Sequence, residues 1–437
     1  MANKNIFCNV PWTNTHVYWD GSFGACCSEK HRPYSNDKTK EFNIQHMTVA
    51  EWHNSQPMKQ FRKDIQGDGK LSACASCYSE EQYNFESRRI KENFKSVIFT
   101  KQAFNKSFQQ SSWHNRFESA QQEADQSAPI DWHVDLGSEC NLACKMCGPQ
   151  ASSRIFNYYK KWDIISQGQV ENWTGNPVAW NNFLSSIQQT TNLNRIHFMG
   201  GEPMMSRKFK ELLDYLIANN RTEISISFVT NGTLFDQSLI DRLKQFKSSD
   251  VEVSLESIED NNHYIRQGSD TNAVIAVIEN LISQQTDTFH VVLRNVPQLL
   301  NINNYHKYIK WAYEKKLAVQ SIPLTFPRFM SIGVLPLSLR LSFVDRYKQV
   351  IEYIEQNPCN HFTTIATGRD VSRLDVQLIA ECRTMISLLT QPDPSDIEQL
   401  TKDLVQHLTR WDKEFGLDAR EFYPEYREFL NDIQYRV

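Results

Sequence analysis

The chain has 437 residues, 40% of them hydrophobic and 22% charged, which is material for one large core plus at least one smaller unit, so two or three domains are expected. Its 47 basic residues stand against 51 acidic ones, a formal net charge of −4, which excludes both a nucleic-acid-sized basic field and a solvating acidic tail. The opening residues lack a basic stretch leading into an apolar one, and the longest apolar run, near Ala273 to Ile278, is too short to span a bilayer; a soluble, cytoplasmic protein with no membrane and no nucleic-acid partner is expected.

Residues 1–95 read as irregular, with turn signals at Asp20-Gly21 and Asp68-Gly69, a helix from Thr48 to Ile65 and five cysteines. Eight of the ten cysteines precede residue 150, and without an export signal such crowding favours metal ligation over disulfides. The first segment is therefore expected to be a small metal-stapled domain. Residues 96–130 form a connector: between Lys101 and Ser127 the composition turns to Gln, Ser, Asn and charge, with Phe104, Phe108 and Trp113 interleaved.

Residues 131–327 alternate strand with helix. Trp132 to Leu136, Arg195 to Met199, Ile224 to Val229, Val251 to Leu255, Phe289 to Leu293 and Val319 to Leu324 are β-rich, and Phe209 to Ala218, Gln237 to Phe246, Asn272 to Ile282 and Tyr305 to Glu314 are amphipathic. That order predicts parallel βαβ units, six strands rather than eight. Across residues 328–437 the β pattern fades, and Arg340 to Glu355, Ser372 to Leu389 and Ile397 to Trp411 read as helices that pack on the barrel or cover its mouth.

Cys140-Asn-Leu-Ala-Cys144-Lys-Met-Cys147 follows the first predicted barrel strand, placing three thiols at the carboxyl end of a parallel sheet, where such folds keep their chemistry. Three thiolates can hold an iron-sulfur cluster with one iron left open; a zinc site needs a fourth ligand nearby. The CxxxCxxC spacing resembles the signature of radical S-adenosylmethionine (SAM) enzymes, with Met146 where an aromatic often precedes the last cysteine. The resemblance implies an α/β fold with a partial (β/α)6 barrel, a 4Fe-4S cluster on Cys140, Cys144 and Cys147, and S-adenosylmethionine chelated by the open iron.

Gly200-Gly201-Glu202-Pro203 follows the second barrel strand and is similar to the family's GGE-type segment, which implies contact with the methionine ammonium; glycines let backbone approach a ligand, and a carboxylate accepts from it. Ser254 and Glu256, ending the fourth strand, resemble a stretch that meets the ribose and the methionine carboxylate, with Arg266 downstream. Thr230-Asn231-Gly232 and Val296 are further ligand-facing candidates, Val296 against the adenine.

In the first segment Cys8 lies thirteen residues before Gly21, Gly21-Ser-Phe-Gly-Ala-Cys26 is followed by Cys27, and Cys74-Ala-Ser-Cys77 forms a pair. This resembles half of a SPASM arrangement, a twitch domain, here before the barrel instead of after it, and implies one auxiliary 4Fe-4S cluster on Cys8, Cys26, Cys74 and Cys77. The same spacings build a four-cysteine zinc site, and Cys27 competes with Cys26. Cys359 and Cys382 are expected to be free buried thiols, His133 a core or strand residue, and Asp418 to Pro424 a helix junction docked on the barrel.

The resemblance implies an oxidoreductase-like enzyme that cleaves S-adenosylmethionine reductively and abstracts hydrogen from a peptide or protein side chain, with an electron donor such as flavodoxin or ferredoxin. Its rivals are a small-metabolite substrate and a non-catalytic iron-sulfur or zinc module.

Overall fold

Between residues 131 and 321 each β-rich run becomes a strand, and each amphipathic run becomes a helix that carries the chain back to start the next one. A computed structural model describes residues 8–29, 41–67, 69–82, 87–90, 92–93, 128–166, 168, 172–359, 361–365 and 369–436. Its strands are β1 (Asn14–Val17), β2 (Phe23–Gly24), β3 (Asp131–Asp135), β4 (Ala143–Cys144), β5 (Arg195–Met199), β6 (Ser225–Thr230), β7 (Ser248–Ser254), β8 (Arg266–Gln267), β9 (Phe289–Asn295), β10 (Ala318–Ser321), β11 (Phe362–Ile365) and β12 (Arg369–Arg373).

The main sheet runs β10-β9-β7-β6-β5-β3-β1-β2. β3, β5, β6, β7, β9 and β10 are the six expected parallel strands, in chain order and each beside its predecessor. Alternation sends Trp132, Val134, Ile196, Phe198, Ile226 and Phe228 beneath the helices, all buried. Helix Pro177–Gln189 sets Phe183 5.9 Å from Trp132, and helix Arg207–Ala218 sets Phe209 between Phe198 and Phe228, at 4.9 and 5.1 Å. A side chain buried this fully is worth roughly 1.5–3 kcal/mol over leaving it in water.

The alternate positions Asp131, His133, Asp135, Arg195, His197, Ser227, Asp250 and Glu252 are equally buried. They form rows across the sheet, such as His16, His133, His197, Ser227 and Asp250 in lateral register. The other face of the sheet is thus polar and sealed from solvent.

The first segment is less irregular than expected. β1 pairs in parallel with β3 and antiparallel with β2, so this segment extends the barrel sheet. The helix expected from Thr48 to Ile65 is two helices, Val49–His53 and Gln56–Ile65. Thr48 and Glu51 close a capping box on the first. Pro57, at the second position of the second helix, lacks the N–H that a continuous helix would aim at His53, whose carbonyl instead accepts from Arg62 Nη2 at 2.7 Å.

β10 stops at Ser321, ahead of the expected Leu324, since Pro323 cannot donate to a ladder. Ser372 and Arg373, expected in a helix, end the β11–β12 hairpin, and the helix is Leu374–Leu389. Helices Leu337–Gln356 and Ile397–Phe415 complete the carboxyl-terminal segment. Of the expected connector only Ala128, Pro129 and Ile130 are described; Lys101 to Ser127 lies outside the described residues, as does Asp68. Among the described residues no helix is long and apolar enough to cross a membrane.

Candidate cluster and cofactor site

Beyond β3 the chain forms the cysteine loop, in which β4 pairs antiparallel with β8, Cys144 opposite Arg266. The loop is pinned from several sides. Asn141 Nδ2 donates to Thr233 Oγ1 at 2.7 Å, Asn231 Nδ2 to Asn141 Oδ1 at 2.8 Å, Ser152 Oγ to the Leu142 carbonyl at 2.7 Å and Arg154 Nη1 to the Asn141 carbonyl at 2.8 Å. Cys144 is buried, and Cys140 and Cys147 are half-buried.

Burial pushes the Cys140 thiol up to about 11. Cys144 and Cys147 share a hydrogen bond that holds the Cys144 proton well above its ordinary range and brings Cys147 below it. Arg266 lies within reach, Nη1 3.5 Å from Cys144 Sγ. Burial alone would lower Arg266, but Cys144, Glu256 and Cys147 outweigh it and raise its pKa. Burial at Cys140, and the Cys147 hydrogen bond together with burial at Cys144, keep these two thiols protonated in the metal-free protein, and a bound metal displaces those protons. Among the described residues no three His, Cys, Asp or Glu side chains are arranged as a ready site for a single metal ion. The fit to a sulfur-bridged cluster therefore rests on the chemistry of this donor set.

Gly200 and Gly201 run directly under this loop. Gly200 has φ +91°, and a Cβ on Gly201 would fall 1.9 Å from the Glu139 carbonyl oxygen, next to Cys140. Such closeness is open only to glycine. Gly201 N donates to the Gly137 carbonyl at 3.0 Å and Glu202 N to that of Glu139 at 2.7 Å.

The buried Glu202 carboxylate accepts from Met204 N (3.0 Å), Thr230 Oγ1 (2.8 Å) and Asn231 N (2.7 Å), tying the loop after β5 to the loop after β6. Burial raises its pKa against the pull of those donors. Glu256, also raised by burial, accepts from Arg266 Nε (3.2 Å) and Val296 N (2.8 Å). The structure thus gathers Cys140, Cys144, Cys147, Gly200, Gly201, Glu202, Asn231, Glu256 and Arg266 at one end of the sheet. Ser254 is buried at the end of β7, and Pro203 opens a short 3₁₀ turn beyond Glu202.

Cys8, Cys26, Cys74 and Cys77 line a single pocket, with Arg88 and Arg89 in its wall. Burial drives Cys8 and Cys77 upward and Cys74 to about 12. Cys27 is not part of this lining. Its sulfur receives a hydrogen bond from Arg88 Nη1, and Arg88 Nη2 lies 3.0 Å from His133 Nε2 on β3. Cys26 thus stands in the pocket wall with the other three, and Cys27 beside it is turned onto Arg88.

Sequence reasoning did not find Arg88 or the polar rows that it reaches. Arg195 is bidentate to Asp131 at 2.8 Å for each bond, and its Nη2 lies 3.2 Å from His133 Nε2. Glu252 accepts from Arg294 Nε at 2.5 Å. His133 is indeed a buried strand residue, with a pKa depressed by burial and by Arg88. Cys382 is buried and Cys359 half-buried, both free. At the Asp418 to Pro424 junction, Phe422 and Tyr423 pack against Tyr264 with ring centroids 4.7 and 5.5 Å away.

Residues 134–298 match the Radical SAM superfamily, and residues 8–116 match SPASM, an iron-sulfur cluster-binding domain. The chain is 27% identical over 125 residues to GTP 3',8-cyclase of Syntrophomonas wolfei subsp. wolfei, covering 29% of this chain and 33% of that protein. It is 29% identical over 143 residues to the radical SAM cyclopropyl synthase TigE of Paramaledivibacter caminithermalis, covering 31% of this chain and 29% of that protein. The chain thus spans about a third of the length of the curated relatives it matches. Among solved structures it is similar to Streptococcus suis SuiB bound to precursor peptide SuiA, at 15% identity and a TM-score of 0.38, over 57% of this chain and 53% of SuiB.

Proposed function

We propose, from the premise that the chain is a radical SAM enzyme with a SPASM iron-sulfur cluster-binding domain at its amino terminus, that Cys140, Cys144 and Cys147 hold the 4Fe-4S cluster that binds S-adenosylmethionine. When bound, this pair supplies reductive cleavage of the cofactor and a radical that takes hydrogen from a substrate. One observation carries the reading: the three-cysteine loop rests on the Gly200-Gly201 backbone, with Glu202, Glu256 and Arg266 beside it.

The chain's own residues divide the work. Glu202 and the carbonyls around Gly200 and Gly201 receive the methionine ammonium, and Pro203 ends the segment in a fixed turn. Arg266 takes the methionine carboxylate, while Ser254 and Glu256 take the ribose hydroxyls. Cys8, Cys26, Cys74 and Cys77 hold the auxiliary cluster in an amino-terminal unit of residues 1–95, followed by a connector (96–130), the barrel (131–327) and the helical segment (328–437). The buried side chains of the carboxyl-terminal helices keep water from the barrel mouth.

The substrate in this reading is a peptide or protein side chain, and the electron donor is a flavodoxin or ferredoxin. The SPASM match at the amino terminus supports the substrate class.

The test is anaerobic reconstitution with iron and sulfide, reduction with dithionite in the presence of S-adenosylmethionine, and detection of deoxyadenosine, with iron counted in parallel. Deoxyadenosine that vanishes in Cys144→Ala, with about eight irons per chain in the parent, supports the reading. A fully loaded protein that releases none is a non-catalytic iron-sulfur module. Turnover with a small metabolite, and none with a peptide, overturns the substrate class.

A further inference from the structure

The cysteine loop also grips the carboxyl-terminal segment, through a residue for which the proposed chemistry has no use. Lys145 stands between Cys144 and Met146, and its side chain and that of Asp412 are both 0% exposed. The ammonium donates to the Tyr264 carbonyl at 3.0 Å, lies 3.6 Å from Asp412 Oδ1, and sits 3.7 Å from the centre of the Tyr264 ring and 5.6 Å from that of Trp411. Lys145's backbone is held as well: its N–H donates to the Ile265 carbonyl at 2.9 Å, and its carbonyl lies 3.0 Å from His407 Nε2. A carbonyl only accepts, so His407 carries its proton on that nitrogen.

Asp412 is fixed in its turn. Its Oδ2 accepts from Tyr264 Oη at 2.8 Å, from Ala419 N at 3.1 Å and from Tyr435 Oη. His407, Trp411 and Asp412 all belong to helix Ile397–Phe415, and Ala419 and Tyr435 to the tail beyond it.

A buried ion pair is a poor way to gain stability, because desolvation consumes most of the attraction and apolar residues of equal volume often serve better. What a fully enclosed pair does provide is a unique register. An apolar side chain at position 145 would tolerate sliding of the loop along the helix, whereas an ammonium that must meet Asp412, the Tyr264 carbonyl and the Tyr264 ring together fits in one place. Cys144 is Lys145's neighbour, and Cys147 packs on the same Ile155 and Trp411 group. The place of Lys145 therefore sets the place of two of the three sulfurs.

We propose that Lys145 and Asp412 are positioning residues, through which helix Ile397–Phe415 fixes the cysteine loop in the orientation that lets the cluster accept S-adenosylmethionine. This rests on the reading that Cys140, Cys144 and Cys147 hold that cluster. The carboxyl-terminal segment is then part of the cofactor site, although it supplies no ligand to it.

The experiment compares the reconstituted full-length protein with D412N, K145M and the double variant K145M/D412N. Three quantities are read: iron and sulfide per chain, the thermal midpoint, and the S-adenosylmethionine concentration that shifts the electron paramagnetic resonance spectrum of the reduced cluster. D412N keeps acceptors for Tyr264 and Tyr435 and touches neither cluster nor cofactor. It is expected to load iron as the parent does but to need about 10-fold more S-adenosylmethionine for the spectral shift, the usual scale for residues that orient metal ligands. K145M behaves likewise. The double variant, with no charge left unpaired, regains most of the thermal midpoint without regaining the spectral response.

An unchanged response in both single variants overturns the proposal. So does a double variant whose response recovers together with its stability, which is the mark of a merely structural pair. A parent protein whose loaded cluster shows no response to S-adenosylmethionine overturns the cluster reading, and the positioning role falls with it.

Discussion

Replacing Glu202 with glutamine removes one negative charge and almost no volume, so it isolates what the carboxylate does between the loops after β5 and β6. Both of its oxygens already accept: one from Met204 N and Thr230 Oγ1, the other from Asn231 N. Glutamine has one oxygen and one NH₂. If the oxygen faces Met204 and Thr230, the NH₂ opposes the Asn231 N–H; if the amide flips, it opposes that of Met204. In either pose a buried backbone donor is stranded, costing about 1–3 kcal/mol, and the surviving bonds lose their charge assistance, about 1 kcal/mol more. Relief of carboxylate burial, visible in the raised Glu202 pKa, returns part of this. The net expectation is a loss of roughly 2 kcal/mol. Urea unfolding of the metal-free protein, parent against E202Q, reads it directly. A difference below about 0.5 kcal/mol, the range of ordinary surface substitutions, would show that this carboxylate does not bind the two loops together and would refute the argument.

Cys26→Ser is expected to lower iron from about eight to about four per chain while Cys27→Ser leaves it near eight; iron analysis decides, and the reverse pattern would exchange the two assignments. Gly201→Ala pushes a methyl into the Glu139 carbonyl and should cut iron loading on the Cys140 loop by more than half while leaving the amino-terminal site filled, as read by iron content and spectra. Burial and the nearby Lys145 hold His407 down at about 3. Because the unfolded imidazole takes up its proton near 6.5, this residue's contribution to stability is complete above that value and is lost as pH falls toward 3. By pH 5 the loss is about 2 kcal/mol, and in His407→Gln, whose amide can still donate to the Lys145 carbonyl, the slope of stability against pH between 6.5 and 5 should flatten by that amount in denaturant titrations.

Much of the barrel was legible because the two hydrophobic periods differ so plainly. Runs such as Arg195–Met199 and Tyr305–Glu314 fall on their expected residues. The three-cysteine spacing and Gly200-Gly201-Glu202 stood out because those residue types have few other uses together. β1 did not, since four residues carry too little alternation to register and its partner β3 lies far along the chain. Polar residues alternating along β3 and β5 look alike whether they face water or a sealed interior, so the buried pairing of Arg195 with Asp131 was invisible. Lys145 offered no signal at all: a lysine between cysteines reads as exposed until Asp412 arrives from the distant helix. The spacing from Gly21 favoured Cys26 without excluding Cys27, and it is the direction of each side chain that puts Cys26 in the pocket wall and Cys27 against Arg88, itself part of that wall.

A parallel sheet that ended at β3 would offer a bare row of amide and carbonyl groups to any passing chain. Asn14–Val17 covers that row, and the two residues of β2 end the sheet on a rim too short to template another strand. The cover is bracketed in the chain by Cys8 and Cys26, both of which line the amino-terminal pocket. If those thiols hold the proposed auxiliary cluster, its loss removes the tie on either side of the strand that shields the barrel edge, and self-association of the metal-free protein, read by light scattering, is the expected outcome.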